Sequence, residues 1–214
     1  MESPDLAALR AEYAREGLDE DDAGSDPVAL FGRWLDDAVA AGIHEPNSMA
    51  LATADESGRP SVRIVLLKGF DPAGAVFYTN YDSRKGRELG ANPWASAVLL
   101  WHQIQRQVRI EGRVERVDPA RSDSYFGSRP RGAQLGAAAS RQSRPIEDRD
   151  ALEAQIAEAE RSFSGRDVER PEQWGGYRIA LDALEFWQGR ADRVHDRFRY
   201  TRAGDGWSHE RLQP

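Results

Sequence analysis

Cysteine is absent from the 214 residues. That excludes disulfides, thiolate metal ligands and a cysteine nucleophile, and it suits a reducing compartment without requiring one. Any apolar run of membrane-spanning length is missing too, and the opening stretch MESPDLAALRAEYARE carries charges where a secretory signal needs apolar residues. A soluble, cytoplasmic protein is therefore expected. The chain shows no internal repeat with a period of about 20–50 residues and no low-complexity tract, which removes solenoids and propellers. It contains neither a P-loop nor a Rossmann fingerprint, and its four histidines fall in neither HxxxH nor HxH spacing. With cysteine gone as well, no metal centre is expected.

A 40% hydrophobic content supports a folded core. The formal charge of −7 argues against a polyanionic partner, so neither nucleic acid nor an anionic membrane surface is expected to bind. The cations are nonetheless clustered. Residues 59–88 hold six Lys or Arg against three acids, and residues 128–149 hold five Arg against two. Local cationic pockets in an acidic chain suit small anions better than polymers.

The order of elements reads as α+β. Ser3 and Pro4 predict a first helix. Asp26 and Pro27 open a second that runs to Gly42, with Leu30, Trp34, Leu35 and Val39 on one side and a polar, Asp-rich linker before it. Short β-prone segments follow: MALATA, SVRIVLLK, AVFYTN, ASAVLLW and RQVRIEGRVERV, joined by the turn-forming DESGRP and DPAG. Helices are expected at SRKGREL and at EDRDALEAQIAEAERSF, where Leu152, Ile156 and Phe163 are spaced along one face. GGYRIAL, LEFWQG, DRFRYTR and WSHERL read as later strands, giving a mainly antiparallel barrel with peripheral helices.

Four stretches invite functional readings. Ser83 can cap the helix at SRKGREL. Arg84 and Lys85 then occupy its first turn, where cations oppose the helix dipole unless an anion sits there, so free N–H groups and two cations suit a phosphate. Equally, this is a solvated helix start. In RIVLLK, Arg63, Val65 and Leu67 alternate with Ile64, Leu66 and Lys68, as in an ordinary barrel strand or one rim of a groove for a flat heterocycle. In SYFGSRPRGAQLGAAASRQS, Pro130 stiffens the backbone between Arg129 and Arg131, which favours either anion binding or a surface Arg-rich loop. In EFWQGRADRVHDR, an extended strand would put Arg193, His195 and Arg197 on one face, a cluster that calls for an anionic or electron-rich ligand.

Several motifs occur together and in order: RAEY, RIVLLK, FYTN with SRK, RQV, YFGSRPRG, SRQS, WGGYRI, EFWQG, RVHDR and a terminal RLQP. By these the chain, from about Leu9 to Pro214, resembles the pyridoxine (pyridoxamine) 5′-phosphate oxidase family. The resemblance implies a split β-barrel with FMN at a homodimer interface. Residues 1–25 are then an N-terminal helical or flexible segment, and 26–214 one FMN-binding domain. Arg63, Ile64, Val65, Leu66, Leu67, Lys68, Tyr78, Thr79, Arg84, Lys85, Gln107, Gln142, Ser143, Trp187 and Arg197 match FMN-binding positions. Lys68, Tyr125, Arg129 and Ala133 match positions around the substrate phosphate. Arg193 and His195, with Val194 between them, match those that hold the pyridine ring and act in catalysis. Arg10 and Tyr13 match a segment that closes over the substrate.

The implied reaction is oxidation of pyridoxamine 5′-phosphate or pyridoxine 5′-phosphate to pyridoxal 5′-phosphate, with O2 as electron acceptor and release of H2O2, and of NH3 from the amine. Three departures from the family pattern stand out. Ala133 replaces a common Ser and removes one hydroxyl donor, a loss of about 1.5–3 kcal/mol where nothing replaces it. Ala138 replaces a common Trp, and Val194 a common Leu. Rival readings are a sister flavin oxidase of the phenazine-biosynthesis type, a non-catalytic protein that binds FMN or pyridoxal phosphate, and a nucleic-acid-binding barrel, which the charge disfavours.

Overall fold

The computed structural model describes residues 17–214. The helix expected from Ser3 and Pro4, together with Arg10 and Tyr13, lies outside the described residues. The elements begin with α1 (Glu20–Ala23), α2 (Pro27–Ala40), β1 (Ser48–Ala54), β2 (Pro60–Leu66), β3 (Gly69–Asp71), β4 (Gly74–Asn80), α3 (Arg84–Ala91), β5 (Trp94–Trp101) and β6 (Arg106–Arg116). They continue with α4 (Pro119–Ser128), α5 (Arg131–Ala139), α6 (Arg149–Ser162), β7 (Trp174–Ile179), β8 (Ala183–Gln188), β9 (Asp196–Ala203) and β10 (Gly206–Arg211). These group into two compact units: the described residues up to Asn47 with Val98–Ile110 and Asp182–Pro214, and Ser48–Ala97 with Glu111–Leu181.

In the first unit the strand order is β10-β9-β8-β6-β5, antiparallel where β8, β9 and β10 pair. The expected Asp-rich linker is partly helical, because Asp19 caps α1 by accepting the Asp22 N–H at 2.8 Å. Asp26 does the same for α2, accepting from Val28 and Ala29 at 2.9 and 3.3 Å, with Pro27 in the first turn, where its missing N–H goes unneeded. The buried face of α2 is Leu30, Phe31, Trp34 and Ala38. Leu35 is only half-buried and Val39 is 60% exposed, so the inner stripe lies one residue earlier than the sequence pattern suggests. Trp34 meets Phe186 edge-on at 5.2 Å, and Phe31 lies 6.2 Å from Trp101, whose indole N–H donates to the Pro46 carbonyl at 2.8 Å.

In the second unit, β1 and β2 form a hairpin closed by Asp55, whose carboxylate accepts the N–H groups of Ser57 and Arg59. β1 alternates, with Met49, Leu51 and Thr53 facing inward. On β2 the ladder stops at Leu66. Lys68 therefore stands beyond it, exposed, with its N–H donating to the Val76 carbonyl at 2.7 Å. β4 is buried along most of its length and pairs with β7, which in turn pairs with β6. Opposite Tyr78 stands Gly176, and opposite Thr79 stands Gly175. A Cβ on Gly175 would fall 2.1 Å from the Tyr81 hydroxyl, and one on Gly176 would fall 2.8 Å from the Tyr78 ring. The paired glycines of WGGYRI thus let two aromatic rings lie against the strand.

The stretch expected to be an Arg-rich loop is helical instead. Asp118 caps α4, and α5 starts directly after Pro130 and continues through an Ala-rich sequence of high helix propensity. Arg131 ties back to the backbone, its guanidinium donating to the carbonyls of Phe163 and Arg166. α6 forms as expected but buries none of its residues; Leu152, Ile156 and Phe163 are half-buried. Among the described residues no helix is long and apolar enough to cross a membrane.

Two glycines of α3 give a paired test. A Cβ on Gly86 would sit 2.1 Å from the Tyr81 carbonyl oxygen, a backbone atom, whereas one on Gly90 meets nothing within 4 Å. Gly86→Ala is expected to destabilise the protein by about 1–3 kcal/mol through overpacking. Gly90→Ala should stabilise it by up to about 1 kcal/mol through helix propensity. Urea unfolding of the two variants checks this; equal midpoints would show that α3 is not seated against the Tyr81 backbone.

Candidate functional site

A dense polar cluster lies in the second unit. Ser83 sits in extended backbone before α3 and its hydroxyl accepts the Gly86 N–H at 3.2 Å, as an N-cap should. Arg84 and Lys85 then fall in the first turn, against the dipole. The fold compensates by burying a carboxylate one turn on. Glu88, only 6% exposed, accepts Arg84 Nε at 2.8 Å, Arg63 NH2 at 3.1 Å, the Ser61 hydroxyl at 2.6 Å and the Thr53 hydroxyl. Arg63 is further fixed by donating to the Leu51 carbonyl at 3.1 Å, to Thr53 Oγ1 at 2.6 Å and to Ser61 Oγ. Burial pushes the Glu88 pKa up, but the hydrogen bonds from Ser61, Thr53, Arg84 and Arg63 together outweigh it and hold the group at about 2.

Lys85 is treated differently. Its side chain is buried, and Nζ reaches Thr79 Oγ1 at 3.0 Å, Gln142 Oε1 at 3.3 Å and Ser83 Oγ at 3.4 Å, three neutral oxygens. Burial, followed by the Arg63 charge, lowers its pKa to about 8, with Glu88 acting the other way. Three cations and one carboxylate leave two positive charges around a helix start. This donor set fits a phosphate dianion.

A second constellation in the same unit is aromatic. The Tyr78 and Tyr125 rings stack at 3.9 Å, and Trp174 lies nearly parallel to both at 5.6 and 6.2 Å. Arg129 rests over Trp174, 4.8 Å from the ring centroid, and its buried NH1 has no hydrogen-bond partner. Burial lowers the Arg129 pKa, with Tyr125 opposing the shift, yet a guanidinium stays charged throughout the physiological range. Arg129, Ala133, Ser140, Gln142 and Trp174 line a cavity of about 310 Å³ together with Asn80. An orphaned guanidinium N–H beside a cavity is a ready donor to an anion. Ala138 packs against a small core of Phe126, Leu135, Val168 and Trp174.

The third cluster lies in the first unit and corrects one expectation. Arg193, His195 and Arg197 do not share a strand face. β9 starts only at Asp196, and Asp192 and Arg193 adopt left-handed backbone, φ 54° and 60°, which swings Arg193 out into solvent. Two successive non-glycine residues in that region carry strain of about 1–3 kcal/mol each. His195 stacks obliquely on Trp187 at 4.5 Å, and its Nδ1 accepts the Arg190 N–H at 3.1 Å. Burial, then the Arg193 charge, hold its pKa below the usual imidazole value, while Asp196 pulls it upward. With Nδ1 accepting, the proton of the neutral ring sits on Nε2. Across the β8–β9 ladder Arg197 stands opposite Trp187 and pairs with Glu185, at 2.9 Å from Nε and 2.8 Å from NH2.

The other expected residues fall in plainer settings. Ile64 is exposed on β2, Val65 and Leu66 are half-buried, and Leu67 is buried. Gln107 is half-buried on β6, Ser143 has φ 68° in the loop after α5, and Val194 is 64% exposed. Glu88 and Glu185 escaped the sequence reading. For Glu88 a signal existed, since it lies four residues beyond Arg84 on a helix; for its partners Thr53 and Ser61 none did.

Two family models cover most of this chain: one described as pyridoxamine 5′-phosphate oxidase over residues 35–163, and one as pyridoxine 5′-phosphate oxidase C-terminal dimerisation region over residues 174–214. A pyridoxine/pyridoxamine 5′-phosphate oxidase of Rubrobacter xylanophilus is 57% identical over 98% of this chain and 97% of its own. The chain belongs to the pyridoxine/pyridoxamine 5′-phosphate oxidase family. Among solved structures, PhzG of Burkholderia lata, in complex with tetrahydrophenazine-1-carboxylic acid, superposes with a TM-score of 0.85 at 38% identity, covering 91% of this chain and 95% of that one. A pyridoxamine 5′-phosphate oxidase-related, FMN-binding protein of Nostoc punctiforme shares the fold, with a TM-score of 0.71 at 20% identity over 89% of this chain and all of its own. The family's split-barrel architecture is the fold of this chain.

The Glu88 network carries a pH signature. Its folded pKa, about 2, lies below the ordinary value of 4.5, so the stability it contributes is complete above pH 4.5 and is lost as the pH falls toward 2. The contribution is roughly 3 kcal/mol. The stability difference between the native protein and Glu88→Gln, followed by urea unfolding, is expected to shrink across that acid window. A difference that stays constant would mean that the carboxylate does not titrate there.

Proposed function

We propose that this chain is an FMN-dependent oxidase that converts pyridoxamine 5′-phosphate and pyridoxine 5′-phosphate to pyridoxal 5′-phosphate, working as a homodimer. The carrying observation is the cluster at the start of α3, where buried Lys85 faces only neutral oxygens beside the Arg63 and Arg84 guanidiniums. Such a cluster suits the flavin phosphate. The names of the relatives and the dimerisation-region match support the substrate and the assembly.

FMN, when bound, supplies the two-electron redox chemistry, accepting hydride equivalents from the substrate and delivering them to O2 as H2O2. The residues of the chain orient and neutralise. Lys85, Arg84 and Arg63 would hold the cofactor phosphate, with Thr79 and Gln142 keeping the Lys85 ammonium in place. Arg129, with its unpaired N–H, would meet the substrate phosphate together with Tyr125 and Lys68. Ala133 offers no hydroxyl at this cavity, which weakens phosphate binding without removing it. Arg193, turned outward by its left-handed backbone, would lie over the electron-rich pyridine, and neutral His195 can donate from Nε2 to a ring substituent. The likeness to PhzG favours one rival, a larger phenazine-type substrate.

Anaerobic addition of pyridoxamine 5′-phosphate to the FMN-loaded protein is expected to bleach the flavin, and admission of air should yield pyridoxal phosphate and peroxide. A flavin that stays oxidised with both the amine and the alcohol phosphate would move the reading to the phenazine-type oxidase or to a carrier. Arg193→Leu should slow flavin reduction while FMN stays bound, and reduction at the native rate would sink the role given to that residue. Arg197→Leu, which breaks the pair with Glu185, is expected to release FMN more readily on dilution, as read by recovery of flavin fluorescence.

A further inference from the structure

Among the described residues Glu88 is the carboxylate that the cationic cluster holds, and its placement sorts the three cations. Arg63 and Arg84 both reach it, and the hydroxyls of Thr53 and Ser61 complete its coordination. Lys85 does not: its ammonium is handed to Thr79, Ser83 and Gln142 instead. A buried ammonium that meets only neutral oxygens keeps its proton at a cost, and that cost is set by the charges around it. Those charges are Arg63 on β2, which opposes the proton, and Glu88 on its own helix, which favours it; from β4 and the loop after α5, Nζ meets the neutral Thr79 and Gln142, with Arg141 beside Gln142 in the same loop.

We infer that Glu88 is a positioning residue of the phosphate subsite: its carboxylate takes up Arg63 and Arg84 and keeps Lys85 protonated as the cation that meets the phosphate. This rests on the flavin-phosphate reading above. Removing the carboxylate leaves the Arg63 and Arg84 guanidiniums uncompensated beside one buried amine, so Lys85 gives up its proton at lower pH. Because only the ammonium form holds the phosphate strongly, the alkaline limit of binding moves with it.

The test is titration of the apoprotein with FMN, followed by quenching of flavin fluorescence from about pH 6 to about pH 9.5, a range spanning ordinary His-to-Lys titration. Native affinity is expected to decline as the pH rises through about 8. In Glu88→Gln the decline should begin about one pH unit lower, the size of effect expected from losing an opposite charge nearby. In Lys85→Arg it should vanish, since a guanidinium does not titrate in this range. If Glu88→Gln weakens FMN equally at every pH with an unmoved midpoint, Glu88 is a structural residue only and the inference fails.

A second readout separates this from failure of the flavin reading. The pH dependence of Lys85 acetylation in the apoprotein, followed by peptide mass spectrometry, reports the amine directly. If FMN binds at no pH, the flavin reading falls, while a lower acetylation midpoint in Glu88→Gln than in the native chain still supports the inference and equal midpoints overturn it. Should Glu88→Gln not fold, Glu88→Asp, which keeps the charge but withdraws it by one methylene, should move the midpoint part of the way, and no movement overturns the inference.

Discussion

Burying a carboxylate is costly unless its oxygens are hydrogen-bonded, and in the second unit Glu88 makes that cost the organising constraint. Its donors come from β1, β2 and α3, so the acid is satisfied only when the hairpin and the helix are both in place. The same bonds fix the Arg63 guanidinium, which spans from Glu88 to the Leu51 carbonyl. Helix placement, strand pairing and the position of the Arg63 guanidinium are therefore one problem with one solution. Gly86 tightens it, since its lack of a Cβ lets the first turn of α3 lie on the Tyr81 backbone.

The aromatic constellation obeys a related logic of close approach. Gly175 and Gly176 clear space on β7 for Tyr81 and Tyr78, and Tyr78 in turn stacks on Tyr125 from α4. Arg129, immediately after α4, lies over Trp174 with one N–H unspent. An aromatic face supports the cation without consuming its donors, which leaves them available to a ligand. Arg131, two residues on, shows the contrast: its donors are spent on backbone carbonyls, which makes it a tie between α5 and the end of α6.

In the first unit, strain and charge act together. The left-handed pair Asp192 and Arg193 breaks the extended course of the chain just before β9. Arg193 is thereby exposed while His195 is held by Trp187 and the Arg190 amide. Partial burial, then the nearby Arg193 charge, lower the imidazole pKa, and a neutral ring is a donor whose direction is set by the bond its other nitrogen accepts. Arg197, by contrast, lies within the ladder and is matched by Glu185, so it can be cationic at little cost.

The sequence by itself determined the class of fold, nearly every strand, the caps at Asp26 and Ser83, and the series of motifs that marks the family, because each of these is written in neighbouring residues or fixed spacings. It marked Arg84 and Lys85 as cations at a helix start but could not tell that one would be paired and the other left to neutral oxygens. That distinction depends on Thr53, Ser61, Thr79 and Gln142, which are far from α3 in sequence or carry no charge to draw notice. The stretch SYFGSRPRGAQLGAAASRQS, which its Arg and Pro residues mark as an anion-binding segment or a surface loop, instead carries much of α4 and α5 because its Ala-rich helix propensity wins, and Arg193, His195 and Arg197 do not share a face because a left-handed turn leaves no mark in side-chain periodicity. Local patterns fix what a segment tends to become; only the tertiary structure decides which charges are neutralised, since that depends on groups brought together from distant parts of the chain and on the water excluded between them.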